Sequence, residues 1–224
     1  MARDSVFAEE TTERSIRVKI CGITNATDAL DAIAAGADAL GFNFFPPSPR
    51  YIDISTARTW LSELPREIVK IAVLVNPTLA ETIELAQMPF IDALQLHGNE
   101  SPDFCAALAE RGIAFAKAVP VGEEGPLAAI PSFSTRTILL DSCAAGFGGS
   151  GRTFPWESAA TLVKARSDLR VVLAGGLTPE NVASAIRQVL PFGVDVTSGV
   201  ERSPGHKDPH RVQAFIEAAR GSFR

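Results

Sequence analysis

Eight short apolar runs alternate with longer segments of helical pattern along this chain, and this alternation most narrows the folds available to it. The runs cover residues 16–21, 39–42, 71–75, 93–96, 114–119, 137–140, 171–174 and 193–196. Strands that alternate with helices are typical of parallel sheets, because two parallel strands need a long crossover connection. Eight such units predict an α/β protein with a single (β/α)8 TIM barrel, and a doubly wound open sheet is the alternative.

Helical patterns follow most of these runs. They cover residues 24–36, 56–64, 78–86, 102–110, 156–166, 179–189 and 209–219, whereas residues 122–131 are only weakly helical. Thr24 or Asn25 can cap the first helix, because both side chains accept hydrogen bonds from the free amides of a first turn. We expect Ala29, Leu30 and Ile33 to form the apolar face of that helix.

The length of the chain fits one compact barrel domain. It has 224 residues and is 46% hydrophobic, while barrels of this kind begin near about 200 residues. We expect residues 1–15 to form a short disordered extension and residues 16–224 to form the catalytic barrel. The extension contains Glu9, Glu10 and Glu13 and lacks a basic region followed by an apolar core, so it does not resemble a targeting signal.

Charge and cysteine content exclude several classes of protein. A net charge of −5 and a pI near 5.3 argue against a nucleic-acid binder. No run of apolar residues is long enough to predict a membrane span. Three cysteines are a small and odd number, which does not fit a disulfide framework. The sequence therefore predicts reduced thiols in a cytoplasmic protein.

Reactive side chains follow three of the predicted strands. The carboxyl ends of barrel strands carry the chemistry of such folds, and Cys21, His97 and Asp141 stand at these ends. Each also has an ordinary structural interpretation. Cys21 can be a small buried apolar residue, His97 can hydrogen-bond a neighbouring loop, and Asp141 can cap the amide of Ser142 or Cys143.

Glycine-rich loops follow the seventh and eighth strands. Gly175 and Gly176 precede a helix with Pro179 predicted at its first position, and Ser198 and Gly199 follow the last strand. Glycine lets a backbone approach an anion, and the first amides of a helix point toward it. These loops therefore predict a phosphate site, although tight turns alone would also use glycine.

Metal chemistry is not indicated. His206 and His210 are four residues apart, a spacing that metal ligands use, but Pro209 lies between them and no third ligand is evident. Cys105 lies in a predicted helix and is expected in the core. The sequence therefore predicts a site without a metal ion.

A set of short motifs, in order, resembles a known enzyme family. The motifs are VKICGIT at 18–24, GADALGF at 36–42, SPRY at 48–51, LQLHG at 94–98, LD at 140–141, GGSG at 148–151, LAGGL at 173–177 and SGVE at 198–201. Together they resemble the phosphoribosylanthranilate isomerases of tryptophan biosynthesis, over residues 17–219. The resemblance implies a (β/α)8 barrel that works without a cofactor and occurs as a monomer or homodimer.

The resemblance also implies a reaction and a set of roles. The family converts N-(5-phospho-β-D-ribosyl)anthranilate to 1-(2-carboxyphenylamino)-1-deoxy-D-ribulose 5-phosphate by an Amadori rearrangement. Cys21 falls on its general base, Asp141 on its general acid and Arg50 on the arginine that holds the anthranilate carboxylate. His97 is predicted to bind substrate, and the loops at Gly175-Gly176 and Ser198-Gly199 fall on the phosphate site.

Two other functions stay open from the residues alone. One is a different phosphosugar barrel, such as an epimerase or a synthase, although a metal-dependent epimerase would need His and Asp ligands inside the barrel. A related isomerase that serves both histidine and tryptophan synthesis is expected to carry a carboxylate in place of Cys21. The other function is a barrel that binds a phosphate ligand without catalysis, and such a barrel would be expected to lose the acid–base pair.

Overall fold

A computed structural model describes residues 16–121, 133–142 and 154–222 of this chain. The expectations for residues 1–15, for the segment 122–131, for the Gly146–Gly151 loop and for Cys143 lie outside these residues. Among the described residues, no helix is both long and apolar enough to cross a membrane.

Ten strands and seven α-helices occupy the described residues. The strands are β1 Arg17–Cys21, β2 Ala39–Asn43, β3 Val69–Leu74, β4 Ala93–Leu96, β5 Phe115–Val121, β6 Thr137–Ser142, β7 Arg170–Leu173, β8 Gly193–Val196, β9 Glu201–Ser203 and β10 His206–Lys207. The helices are α1 Ala26–Ala34, α2 Ile54–Glu63, α3 Leu79–Ala86, α4 Pro102–Ala109, α5 Trp156–Ala165, α6 Val182–Val189 and α7 Pro209–Gly221.

The first eight strands close into a parallel barrel, as the alternating pattern predicts. Each strand pairs with the next in order, and β1 pairs with β8 to complete the ring. Lys19 lies opposite Ala39 on one side and Asp195 on the other. The alternative of an open, doubly wound sheet is therefore wrong.

Strand side chains alternate between two separate cores. The larger core fills the space between strands and helices, and it includes Ile20, Leu40 and Leu94. A smaller core of mostly short side chains lies on the opposite face of the strands, inside the barrel; its members are Ala39, Ile71, Ala93, Ala116, Ala118, Leu139, Val172 and Ala174. Because successive strand residues point to opposite faces, Lys19 and Cys21 share the interior face with Ala39.

Helix α1 differs from its predicted face. Asn25 is its cap and accepts a hydrogen bond from the Asp28 amide at 2.9 Å. Ala29 is buried, but Leu30 is 53% exposed, so the prediction of Leu30 on the buried face is wrong. The small Ala32 takes part in the buried face, which lets the helix lie close to the strands.

The loop after β7 also differs from its prediction. Helix α6 begins at Val182, so Pro179 is not its first residue. Pro179 lies in a turn that the Asn181 side chain closes, accepting from the Thr178 amide at 2.8 Å and donating to the Gly176 carbonyl at 2.9 Å. An Asn side chain can satisfy a turn and so delay the helix.

Candidate active site

One pocket at the carboxyl end of the barrel strands is lined by all eight of the predicted catalytic, substrate-binding and phosphate-binding residues. The predicted site residues that line it are Cys21, Arg50, His97, Asp141, Gly175, Gly176, Ser198 and Gly199. They come from the ends of strands or from the loops that follow, where barrel folds place their chemistry. Sequence positions up to 178 residues apart are thus brought to one cavity.

Cys21 ends β1 and is almost fully buried, with 8% of its surface exposed to the pocket. Lys19, two residues earlier on the same face, interacts electrostatically with the Cys21 sulfur. Burial alone would lower the pKa of Lys19, but Asp195 and Cys21 outweigh it and hold that pKa above its ordinary value. A charged ammonium therefore lies beside the sulfur, which is the kind of neighbour found at reactive thiols.

Asp141 lies near the end of β6 and uses both carboxyl oxygens. Its Oδ1 accepts from the Ser142 amide at 2.8 Å, which is the capping contact expected of an ordinary structural role. Its Oδ2 lies 3.1 Å from Nε2 of His97 inside the pocket. The Oδ1 contact confirms the capping interpretation, and the position of Oδ2 in the pocket leaves the catalytic role of Asp141 as a prediction.

His97 belongs to a chain of hydrogen bonds that crosses the barrel. Its Nδ1 lies 2.9 Å from Nε2 of Gln95, and Oε1 of Gln95 lies 2.9 Å from Nζ of Lys19. Lys19 also forms a buried ion pair with Asp195 at 3.0 Å. Both ring nitrogens of His97 thus contact protein groups, Gln95 on one side and Asp141 on the other, and its role in binding substrate stays a prediction.

Arg50 is fixed by a carboxylate before any ligand binds. Its Nε and Nη2 donate to the two oxygens of Glu201, at 2.9 and 2.7 Å. This hydrogen bonding outweighs burial and raises the pKa of Arg50. Lys207 binds the same carboxylate at 2.8 Å, although burial holds the pKa of Lys207 below its ordinary value.

The loop before Arg50 is Pro46-Pro47-Ser48-Pro49, which its prolines make stiff, and it is tied to strand β2. Asn43 donates from Nδ2 to the Ser48 hydroxyl at 3.1 Å, and its Oδ1 accepts from the Phe45 amide at 2.9 Å. The Ser48 hydroxyl also accepts from the Arg50 amide at 3.2 Å. These bonds direct the loop 46–49 back over the pocket and bring Arg50 to its rim.

The two glycine loops meet at one side of the pocket. Gly175 and Gly176 have φ values of +78° and +64°, in the left-handed region that favours glycine. Gly199 is constrained by space instead, because an added Cβ would lie 2.0 Å from the Leu177 carbonyl oxygen. Arg211 donates to the Gly199 carbonyl at 2.9 Å and holds this loop from outside.

Several residues of this site were not singled out from the sequence. Lys19, Gln95 and Asp195 each stand alone among apolar neighbours in a strand, at 1%, 2% and 5% exposure. A lone polar residue in an apolar strand is the signal that could have found them, since buried polar groups need partners. Glu201 and Lys207 gave no such signal, because they meet through a short hairpin, β9–β10, that was not predicted.

The described residues contain no cluster of His, Cys, Asp and Glu that could hold a metal ion. His206 and His210 are both exposed, on β10 and in the first turn of α7.

The closed parallel barrel, with a pocket at its strand ends that holds a thiol, a carboxylate and two glycine loops, defines the class as a (β/α)8-barrel enzyme. The comparisons give the family. Residues 18–218 match the family model described as N-(5'phosphoribosyl)anthranilate (PRA) isomerase, so the chain belongs to that family and is an isomerase of tryptophan biosynthesis.

Individual relatives agree with this assignment. The N-(5'-phosphoribosyl)anthranilate isomerase of Pelobacter propionicus is 47% identical over 206 residues, which cover 92% of this chain and 96% of the relative. The crystal structure of phosphoribosyl anthranilate isomerase from Thermotoga maritima is 44% identical with a TM-score of 0.82, covering 92% and 99%. A phosphoribosyl anthranilate isomerase in complex with reduced 1-(o-carboxyphenylamino)-1-deoxyribulose 5-phosphate is 42% identical, with a TM-score of 0.79 and coverage of 92% and 99%.

Proposed function

We propose that this isomerase converts N-(5-phospho-β-D-ribosyl)anthranilate to 1-(2-carboxyphenylamino)-1-deoxy-D-ribulose 5-phosphate, with Asp141 as general acid and Cys21 as general base. The observation that carries the proposal is the pair of groups in one pocket. Cys21 comes from β1 and Asp141 from β6, three strands apart around the barrel, and both line the cavity. A sugar between them meets one group on each side.

The reaction needs two proton transfers that these groups can divide. Asp141, carrying a proton, protonates the ribose ring oxygen, so that the ring opens to a Schiff base. The Cys21 thiolate then removes the proton on C2′, and the resulting enolamine tautomerises to the ketone. Each transfer needs a group within hydrogen-bond reach of the reacting atom, and the pocket supplies one group for each.

Arg50 is suited to hold the anthranilate carboxylate. A guanidinium presents several N–H donors in one plane, and Glu201 uses Nε and Nη2 of Arg50. The positive charge lies at the rim of the pocket, with 14% of the side chain exposed. A carboxylate on the substrate would bind at this rim while the sugar extends inward.

The glycine loops are suited to the 5′-phosphate. No Lys or Arg lies within residues 175–179 or 197–200, so backbone amides must supply most of the binding. Gly175, Gly176, Ser198 and Gly199 line one side of the pocket. Inorganic phosphate should therefore compete with substrate, and phosphate that inhibits without competition would contradict this orientation.

The remaining expectations concern partners and location. We expect a phosphosugar substrate, no nucleic-acid partner, no cofactor, and a monomer or homodimer that light scattering distinguishes. The proposed base must stay reduced, and Cys21 and Cys105 are free thiols. Reducing conditions of this kind support a cytoplasmic location, which cell fractionation checks.

A fluorescence assay that follows loss of phosphoribosylanthranilate tests the proposed function. Cys21→Ala and Asp141→Asn should each lower kcat by about 10²–10⁴-fold, as loss of an acid or base does, while both proteins still bind the reduced product analogue. Cys105→Ala, in the α4 helix, is the matched thiol control and should keep wild-type kcat. Wild-type turnover in either site variant would remove that residue from the mechanism.

The same assay separates the isomerase from a metal-dependent epimerase. Activity should survive exhaustive treatment with EDTA. Activity that is lost with EDTA and restored by a divalent ion would contradict the proposed mechanism.

A further inference from the structure

A chain of hydrogen bonds leads from a buried ion pair to the proposed acid, and its direction can be assigned. Lys19 is 1% exposed and Gln95 is 2% exposed, so neither side chain exchanges its partners with water. Nζ of Lys19 lies 2.9 Å from the Gln95 amide and 3.0 Å from Asp195. The Lys19 ammonium can only donate hydrogen bonds, because it has no acceptor atom.

The ammonium decides which way the Gln95 amide faces. The oxygen of a Gln side chain accepts and its nitrogen donates, so the atom next to Lys19 must be Oε1. Nε2 of Gln95 then faces Nδ1 of His97 at 2.9 Å and donates to it. Nδ1 can accept this bond only without a proton.

The proton of the neutral imidazole must therefore be on the other nitrogen. Nε2 of His97 lies 3.1 Å from Oδ2 of Asp141, and it donates to that oxygen. Asp141 Oδ1 already accepts from the Ser142 amide at 2.8 Å. One N–H thus holds each carboxyl oxygen, and this fixes the plane of the carboxyl group in the pocket.

We propose that Gln95, oriented by the buried Lys19–Asp195 pair, is a positioning residue that selects the Nε2–H tautomer of His97 and so aims the carboxyl group of Asp141 at the substrate. Lys19 ties the proposed base to the same chain. A Cβ placed on Gly41 would lie 2.6 Å from Cys21 Sγ and 3.0 Å from Lys19 Nζ, so both atoms meet at one point of the barrel interior.

Gln95→Glu gives the sharpest test, because it changes the donor and keeps the shape. A carboxylate at residue 95 still accepts from Lys19 but cannot donate to His97. Nδ1 of His97 should then gain a proton in order to donate to this carboxylate. Gln95→Met would be less informative. It removes the amide donor, but Asp141 alone could still hold the proton on Nε2 of His97.

The readout is ¹⁵N NMR of the imidazole ring, which distinguishes protonated from unprotonated ring nitrogens. The chain has three histidines, and His206 and His210 are exposed, so His206→Gln/His210→Gln leaves the signals of His97 alone. In this background we expect Nε2 protonated, Nδ1 unprotonated, and a coupling through the hydrogen bond between Gln95 Nε2 and His97 Nδ1. A proton on Nδ1 in this protein, or no such coupling, overturns the proposal without any variant at Gln95.

With Gln95→Glu in the same background, Nδ1 should carry a proton and kcat should fall by about ten- to a hundredfold, as loss of a supporting hydrogen bond does. A spectrum in which Nδ1 of His97 stays unprotonated in this variant overturns the proposal. Asp92→Asn is the matched control, an exchange of carboxyl for amide beside another buried lysine, Lys70, at 3.3 Å. It should leave the His97 signals and kcat as in wild type.

The effect on kcat rests on the proposed function, but the NMR result does not. The spectra are recorded on the free protein, without substrate. A chain with the expected tautomer and no isomerase activity would support the assignment of the hydrogen bonds and overturn the proposed function. A chain with full activity and a proton on Nδ1 would do the opposite.

Discussion

Arg50, the proposed ligand of the substrate carboxylate, is held in position by the protein itself. The Pro-rich loop brings it to the rim of the pocket, and Glu201 fixes its guanidinium with two hydrogen bonds. A side chain that is held in place loses little conformational freedom when its ligand binds. We therefore expect the geometry of the guanidinium, and not only its charge, to determine substrate affinity.

Replacing Arg50 by Lys separates geometry from charge. Lys cannot bind Glu201 and a substrate carboxylate with a planar set of donors. We expect KM to rise by about ten- to a hundredfold, the loss of a hydrogen bond to a charged group, with a smaller change in kcat. Arg166→Lys is the control, because Arg166 binds Asp168 through the same two nitrogens on the exposed surface. Steady-state kinetics with an unchanged KM in Arg50→Lys would contradict the assignment.

Gly175 connects the proposed phosphate loop to the proposed acid. A Cβ at this residue would lie 2.5 Å from the Ser142 amide nitrogen and 2.8 Å from Asp141 Oδ1. Gly175→Ala should therefore displace the carboxyl group and lower kcat on the order of a hundredfold, as misplacement by about 1 Å can do. Steady-state kinetics of Gly175→Ala measure the loss of kcat.

Gly36→Ala separates that effect from backbone strain. Gly36 also has a left-handed φ, of +98°, but the three atoms nearest an added Cβ all belong to the flexible guanidinium of Arg220, the first at 3.3 Å. Both variants should lose about 1–2 kcal/mol of stability from the left-handed backbone. Only Gly175→Ala should lose kcat, and equal losses in both would show that strain alone is responsible.

At the scale of secondary-structure elements, the short β9–β10 hairpin matters more than its size suggests. It carries Glu201 and Lys207, which are both nearly buried and bind one another. Burial would raise the pKa of Glu201, but Arg50 and Lys207 outweigh it and hold that pKa below its ordinary value of 4.5. The hairpin is therefore an electrostatic support for the rim of the pocket.

This support should depend on pH with a definite sign. A carboxyl whose pKa is lower in the folded state stabilises the fold above its unfolded pKa, and that stability is lost as pH falls through the folded value. Below about pH 4.5 the wild type should lose stability more steeply than Glu201→Gln, whose residue 201 does not titrate. Urea unfolding curves, recorded at about every pH unit between pH 3 and pH 7, give the free energy of unfolding of both proteins. Parallel pH profiles for the two proteins would contradict the assignment.

At the scale of the whole molecule, the Lys19–Asp195 pair joins the first barrel strand to the last. The two side chains are 1% and 6% exposed. Removing one partner of such a pair leaves a buried charge without compensation, which costs about 3–5 kcal/mol. The pair lies where β1 meets β8 and closes the barrel, and Lys19 also begins the hydrogen-bond chain to Asp141.

A double-mutant cycle tests this closure. Lys19→Met and Asp195→Leu should each lower the free energy of unfolding by about 3–5 kcal/mol. The double variant should lose less than the sum, because two apolar side chains leave no buried charge. Denaturant unfolding gives all three values, and simple additivity would show that the pair does not act as a unit.

The amino-acid sequence alone determined the barrel and most of its strands. Eight apolar runs at regular spacing leave few alternatives, because parallel strands demand crossover helices and a closed ring has no exposed edge. The strand ends predicted Cys21, His97 and Asp141 as neighbours, since that fold collects its carboxyl ends at one mouth. The resemblance to known isomerases implied the roles that are proposed for them.

Only the tertiary structure decided how these residues are connected. Gln95 and Lys19 are 76 residues apart in the chain, and no local pattern relates them. The start of α6 was missed because Asn181 closes a turn before the helix. Leu30 was misplaced because the buried face of α1 carries Ala29 and Ala32 instead. Long-range hydrogen bonds and the space left between packed elements depend on every other element, so they exist only once the barrel has closed.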